Sequence, residues 1–283
     1  MITIQNLTYT YMKDTPYEKK ALDKICLTIN KGEFIGLIGH TGSGKSTLIQ
    51  HLNGILKPME GTVIVDGINT VSKGLSELRK KVGLVFQYPE YQLFAETVYE
   101  DIAFGLKKQG AEKNVIDKRV KEVAKLTGLS DKELLKSPFE LSGGQKRRAA
   151  IAGILVLDPQ ILVLDEPAAG LDPAGREEIL SIFKGMHDRK GITIILVSHS
   201  MENICRFSSR VIVMNKGKIE MNGKPEEIFN NIEQIKKIGL GVPDITSFMK
   251  GLKEKIPQIP DNLLTINDAK NAILKLIENR RKS

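Results

Sequence analysis

The stretch Gly39-His40-Thr41-Gly42-Ser43-Gly44-Lys45-Ser46 sets glycines at both ends of a six-residue loop and follows them with a lysine and a hydroxyl. Backbone N–H groups can curl around an anion only where no Cβ obstructs close approach or positive φ, which is what the glycines provide. The apolar run Phe34-Ile35-Gly36-Leu37-Ile38 before the loop reads as a buried strand, and Thr47-Leu48-Ile49-Gln50-His51-Leu52 after it opens a helix. The helix N-terminus adds partial positive charge, Lys45 can reach β- and γ-phosphates, and the Ser46 hydroxyl can ligate Mg²⁺. A glycine-rich turn without a ligand does not account for this flanking pattern. The stretch implies a nucleotide site.

Two further groups bear on the same chemistry. Ile161-Leu162-Val163-Leu164-Asp165-Glu166 is an apolar strand ending in two carboxylates. Beside a phosphate loop, Asp165 is placed to hold Mg²⁺ and Glu166 to polarise, as general base, the water that attacks a γ-phosphate. Leu141-Ser142-Gly143-Gly144-Gln145 sets a serine and two glycines ahead of a helix, a second N-terminus suited to an anion. One nucleotide per chain does not need two such sites, so this one is expected to complete the site of another subunit. A simple helix cap before a basic face is the alternative reading of these five residues.

The elements that must position these groups follow from periodicity. Met1 to Tyr11 and Ala21 to Ile29 alternate as half-buried strands, and Asn30-Lys31-Gly32 reads as a hairpin-like turn into the strand before the loop. Gly61 to Gly67 is another strand, which makes the first third mainly antiparallel in character, with the loop embedded in it. From Leu93 to Ala152 the pattern is helical, with Glu100 to Lys108, Asn114 to Leu126 and Ala149 to Leu157 as the strongest segments. Ile161 to Leu164 and Ile192 to Val197 are short apolar runs suited to a parallel sheet, joined through a helix over Gly175 to His187. Val211 to Asn215 and Lys218 to Met221 read as a terminal hairpin. Beyond Pro243, two apolar stripes (Ile245, Phe248, Met249, Leu252, Ile256; then Ala269, Ile273, Leu276, Ile277) read as helices, and the basic Arg280-Arg281-Lys282 suits the end of the second.

Bulk properties narrow the class. A chain of 283 residues, 41% hydrophobic, holds one large domain or one domain with a small appendage. Cys26 and Cys205 are expected to be reduced core residues. No segment has a signal-peptide pattern or reaches the ~18 uncharged apolar residues of a membrane span, so a cytosolic chain that meets the membrane only through partners is expected. The net charge of +8 is interspersed and selects no partner by itself. His40, His51 and His187 show no metal-site spacing, and Lys146-Arg147-Arg148 reads as a solvated helix face.

Leu141-Ser142-Gly143-Gly144-Gln145, lying between the phosphate loop and Asp165-Glu166, resembles the signature of the ATP-binding-cassette (ABC) ATPases. The resemblance covers about residues 1–235. It implies an α/β fold, with a RecA-like parallel-sheet core, an antiparallel β subdomain and an inserted helical subdomain at about 92–152. The domain would occupy 1–243 and a C-terminal helical dimerisation extension 244–283. It also implies that ATP is held by Gly39 through Thr47 and that Mg²⁺ is held by Ser46, Gln87 and Asp165. Glu166 and His199 would be catalytic, His199 contacting the γ-phosphate. Leu141 through Gln145 would act in trans, and Asp172, in Ala169-Gly170-Leu171-Asp172, would reach across a dimer. Tyr11 would stack on adenine, with Tyr9 as its rival on the same strand face.

Three longer stretches, Val85 to Phe94, Gln145 to Gly153 and Asp165 to Pro173, are more narrowly similar to the ATPases of energy-coupling factor transporters, which take up vitamins and transition metal ions. They look like the second of two paralogues that form a heterodimer; Ala168 departs from the threonine or serine of many members. The resemblance implies a homologous ATPase, a transmembrane coupling protein and, through it, a substrate-binding membrane protein as partners, at the cytoplasmic face of the cell membrane. Tyr88, Tyr91, Leu93 and Phe94 are expected to give the coupling protein apolar contact while Glu90 pairs with a basic residue there. Rival classes fit less well. About a hundred residues without a sustained heptad separate Lys45 from Ser142, against the coiled-coil insertion of a nucleic-acid ATPase. There is one cassette rather than two, and the tail is helical rather than the β-domain that would favour an ordinary homodimeric importer.

Overall fold

The protein, as a computed structural model, is described over residues 1–282, with side chains through Glu278; those of Arg280-Arg281-Lys282 lie outside the described residues. In chain order the elements begin with strands β1 (Ile2–Tyr11), β2 (Lys19–Ile29) and β3 (Phe34–Ile38) and helix α1 (Lys45–Leu52). There follow β4 (Glu60–Val65), β5 (Ile68–Asn69), α2 (Ser76–Lys81) and β6 (Val82–Val85). A block of helices comes next: α3 (Val98–Lys108), α4 (Lys113–Leu126), α5 (Asp131–Leu134) and α6 (Gly143–Leu155). Then come β7 (Ile161–Asp165), α7 (Pro173–Lys190), β8 (Thr193–Val197), α8 (Met201–Phe207), β9 (Arg210–Asn215) and β10 (Lys218–Gly223). The chain ends with α9 (Pro225–Asn230), α10 (Ile232–Lys237), α11 (Asp244–Lys255) and α12 (Ile266–Lys282).

Two sheets organise these elements. One is antiparallel, in the order β2-β1-β4-β5; the other runs β10-β9-β3-β8-β7-β6, parallel except for its β10 edge. The central strands β3, β8 and β7 are buried at every position but Asp165 and almost wholly apolar, because both faces are covered. Ile35, Leu37, Val163, Ile195 and Ile212 face the antiparallel sheet and the α1 residues Leu48, Ile49 and Leu52. The alternate residues Phe34, Ile38, Leu162, Leu164, Ile194 and Leu196 face the helices, with Ile102, Ile151, Phe183 and Ile204. The period of two thus splits one sheet between two cores. After Pro243, Ile245, Met249, Leu252 and Ile256 of the first stripe and Ala269 and Ile273 of the second close a small core of their own with Ile259, while Phe248 and Ile277, expected on the same faces, stay exposed.

Three expectations change. β2 and β3 belong to different sheets, so Asn30-Lys31-Gly32 is a crossing between layers and not a hairpin; β3 pairs in parallel with β8 and β9. A local turn signal cannot say whether the strands it joins will pair. The helix expected from Ala149 begins at Gly143, because Ser142 caps it. Cys26 is exposed, because it takes an outward position on β2 between buried Ile25 and Leu27, while Cys205 is partly buried and burial pushes its thiol up to about 12. Both are free thiols.

Candidate functional site

Register places the chemistry. Leu37 of β3 and Asp165 of β7 both pair with Val197 of β8, and Val85 of β6 pairs with Leu164. The C-terminal ends of four neighbouring strands therefore reach one edge of the sheet together. The phosphate loop, Gln87, Asp165-Glu166 and His199 leave from that edge. This is where ligands bind in open parallel sheets. Thr41, Gly42, Gly44, Lys45 and Ser46 of the loop line, with Gln87, Asp165, Glu166, His199, Tyr11, Lys19 and Thr47, a cleft of about 400 Å³, while Gly39, His40 and Ser43 are not in its lining.

The loop has the conformation its glycines predict. Gly39, Gly42 and Gly44 have φ of 156°, 80° and 104°. A Cβ on Gly44 would lie 2.5 Å from the Ala21 carbonyl oxygen, and one on Gly39 would run into that of Met214. Lys45 Nζ donates to the carbonyl oxygens of Gly39 (2.7 Å) and His40 (3.1 Å) at the mouth of the loop. Burial lowers its pKa, opposed by the charges of Asp165 and Glu166. Ser46 Oγ donates to Asp165 Oδ2 at 3.1 Å, and burial raises the Asp165 pKa against that bond and the charge of Lys45. A hydroxyl and a carboxylate converging beside the Gln87 amide form a set of hard oxygen donors, which fits Mg²⁺.

Glu166 differs from its neighbours. It sits at φ 51°, in the left-handed region, where the chain turns off β7. That conformation costs a non-glycine residue on the order of 1 kcal/mol and recurs where a side chain must be aimed. Its Oε1 is buried without a hydrogen-bond partner among the described residues, and His199 Nε2 lies 3.7 Å away. Burial, and then the charge of Asp165, push its pKa from 4.5 up to about 7. A desolvated carboxylate with one oxygen unpartnered and a pKa near neutrality is suited to accept a proton.

Tyr11 and Tyr9 separate clearly. Tyr11 lines the cleft with its hydroxyl 3.2 Å from Thr47 Oγ1, while Tyr9 packs edge-on behind it between Tyr11 and buried His51, each 5.0 Å from its ring centroid. The three other histidines serve structure, His51 bonding the Thr47 carbonyl, His187 that of Ile192, and His40 Asn215.

Leu141–Gln145 lies outside this cleft. Ser142 and Gln145 form a reciprocal capping box at the start of α6, and the Gln145 amide donates to Glu133. Gly143 and Gly144 have no positive φ, and a Cβ on either would meet no described atom within 4 Å. Asp172 caps α7, accepting from the Gly175 N–H at 2.8 Å.

The expected partner surface is only partly available. Tyr91 (84% exposed), Phe94 (63%) and Tyr88 (40%) present apolar area, but Leu93 leans on the helical core. Glu90 is already engaged. Arg147 donates to its two oxygens at 2.9 and 2.6 Å, so it is not free for the intermolecular pair the sequence led us to expect. Arg147 correspondingly is 2% exposed, not part of a solvated face, and Arg148 pairs with Glu178.

Sequence reasoning also missed Lys19, which lines the cleft, and Asp101, which is buried and accepts the N–H groups of Phe94 (3.1 Å) and Ala95 (3.2 Å). Asp101 directly follows Glu100 in the first turn of α3 and carries no signal of its own beyond a helix-start acid. Asp101→Ala leaves two N–H groups unbonded, and we expect urea unfolding to show a loss of about 1–3 kcal/mol.

The geometry is that of a P-loop ATPase with a signature helix, and comparisons with known proteins agree. The ABC transporter family matches residues 22–169. The chain is 60% identical over 276 residues to "Energy-coupling factor transporter ATP-binding protein EcfA2" of Acetivibrio thermocellus, covering 98% of both chains. It is 54% identical over 282 residues to the protein of the same name from Clostridium tetani, covering 99% and 98%. Among solved structures, cbiO1 of Clostridium perfringens, described as part of the ABC transporter complex cbiONQ, is similar with TM-score 0.73 and 39% identity, covering 88% of this chain and 98% of that one. The ATP-binding cassette MJ0796, solved as a dimer bound to ADP and Pi, is similar with TM-score 0.71 and 33% identity, covering 80% and 99%. The chain belongs to the ABC transporter ATPases and, within them, to the energy-coupling factor ATP-binding proteins.

Proposed function

We propose that this chain and a homologous ATPase close around two ATP molecules, each held by one chain's phosphate loop and the other's signature helix. Closure and reopening would drive energy-coupling factor uptake of vitamins or transition metal ions. One observation carries the trans arrangement: the glycines of Leu141–Gln145 face open space outside the chain's own cleft. In this reading Lys45 exchanges its loop carbonyls for phosphate oxygens and Tyr11 stacks on adenine. Ser46, Gln87 and Asp165 would hold Mg²⁺, whose charge neutralises the phosphate oxygens. The Glu166 carboxylate takes the proton of the attacking water, and His199, 3.7 Å from it, donates toward the γ-phosphate. Asp172 lies at the face that meets the second ATPase. The dimer closes because ATP makes its second set of contacts only there.

Among the described residues no helix is long and apolar enough to cross a membrane. The likeness to energy-coupling factor ATP-binding proteins supports a place on the cytoplasmic face, held by a transmembrane coupling protein at Tyr88, Tyr91 and Phe94. The C-terminal pair α11 and α12 would extend the contact with the second ATPase. The test is the mass in solution of Glu166→Gln, with and without MgATP, alone and with the co-expressed homologous ATPase. A monomer that dimerises with ATP only when the homologue is present supports the reading. A stable ATP-dependent homodimer would point instead to the homodimeric ATPase of an ordinary ABC transporter.

A further inference from the structure

Arg147 is charged, buried and unused by the reaction described above. It lies in the second turn of α6, two residues past Gln145. Its side chain is 3% exposed and that of its partner Glu90 is 15% exposed. One edge of the guanidinium, Nε and Nη2, is taken bidentately by the Glu90 carboxylate, in the short 3-10 helix Pro89–Gln92 that follows Gln87. The remaining nitrogen, Nη1, donates to the carbonyl oxygens of Ala169 and, at 3.5 Å, Pro167, in the loop that follows Glu166. The Tyr88 ring completes the assembly. Arg147 Cζ lies 5.6 Å from its centroid, and Tyr88, itself held at φ 55°, closes over Gly170, where a Cβ would come within 3.6 Å of the ring.

We propose that Arg147 is a positioning residue that ties three moving parts together: the exposed Tyr88–Phe94 turn, the loop that aims Glu166, and the signature helix. The inference rests on the function proposed above. A planar fork with five donors can serve a carboxylate and two carbonyls at once; a lysine ammonium cannot reproduce that geometry. Arg147 is buried and Glu90 largely so, and a displacement of the turn by a bound partner cannot part them without leaving a buried charge unpaired. The turn, the guanidinium and the Pro167–Ala169 backbone therefore move as one body. A partner that grips Tyr91 and Phe94 thereby acts on the residue next to Glu166 without touching it.

The experiment uses the full transporter in proteoliposomes, with Arg147→Lys, Glu90→Gln and the double variant, reading kcat and KM for MgATP and the melting temperature. The expected result is a fall in kcat of at least tenfold for each single variant, KM within about twofold of the parent, and a double variant no slower than the worse single. Arg147→Lys keeps charge and bulk, so the chain should still melt within a few degrees of the parent. Unchanged kcat, losses that multiply in the double variant, or losses that follow melting temperature alone would overturn the assignment. An inactive parent transporter would instead remove the function on which the inference rests, and the inference with it.

Discussion

Glu166→Gln should bind ATP with near-parental affinity and hydrolyse it roughly 10²- to 10⁴-fold more slowly, the range a positioned general base supplies. The amide keeps the size and the left-handed backbone of Glu166 but cannot take a proton. Phosphate release under single-turnover conditions, measured beside equilibrium binding of a fluorescent ATP analogue, separates the two effects. The pKa of about 7 adds a second signature. The reacting form is the carboxylate, so kcat/KM, which reports the free chain, should fall about tenfold per unit as pH drops below 7. The glutamine variant should lack this limb. A parental profile flat from pH 6 to pH 8 would contradict the role of Glu166 as base.

Stability should move in the opposite direction. The folded-state pKa of Glu166 lies above its ordinary 4.5, so between pH 4.5 and about 7 the folded chain binds more protons than the unfolded one. Stability from this group is lost as pH rises through that window, by up to about 3 kcal/mol when complete. The neutral amide escapes the penalty. Glu166→Gln should therefore melt above the parent at pH 8 without nucleotide, and the difference should vanish near pH 4.5. A carboxylate held at such a cost is what is expected of a site shaped for reaction rather than for folding.

The parts of this site that could be read in the sequence are those whose chemistry is local. The phosphate loop needs glycines at fixed offsets, and Asp165 ends an apolar run, so both are visible within a dozen residues. Strand direction followed from the apolar runs of β7 and β8, whereas capping by Ser142 was only the alternative reading of its five residues, and the helix was placed from Ala149 instead of Gly143. What was hidden depends on distant partners. Arg147 reads as one more charge in Lys146-Arg147-Arg148, because Glu90 lies 57 positions away and nothing near Arg147 announces it. The same distance misled the reading of Glu90 as free. The raised pKa of Glu166 depends on burial among β7, β8 and the phosphate loop, which only the fold assembles. Cys26 failed for a smaller reason: a strand with an apolar average still has an outward face.

Gly144→Asp should abolish hydrolysis by the assembled ATPase pair, by at least about 100-fold, while leaving the isolated chain folded and able to bind ATP. Gly143 and Gly144 open α6, where glycine is a poorer helix former than alanine. The chain gains nothing from them: neither has a positive φ, and a Cβ on either meets no described atom within 4 Å. An aspartate in that first turn even suits the helix dipole, so the melting temperature of the isolated chain should hold or rise slightly. Its harm is external, a carboxylate set where the γ-phosphate held by the other subunit is expected to approach. Gly44→Ala gives the contrast. There φ is 104° and a Cβ would lie 2.5 Å from the Ala21 carbonyl oxygen, so the loop itself must distort and the isolated chain should lose ATP binding. Calorimetry on each isolated variant and ATPase assays on each assembled pair distinguish the two kinds of glycine. If Gly144→Asp lowered the stability or ATP affinity of the isolated chain as Gly44→Ala does, the signature would be serving its own fold, and the composite site would lose its support.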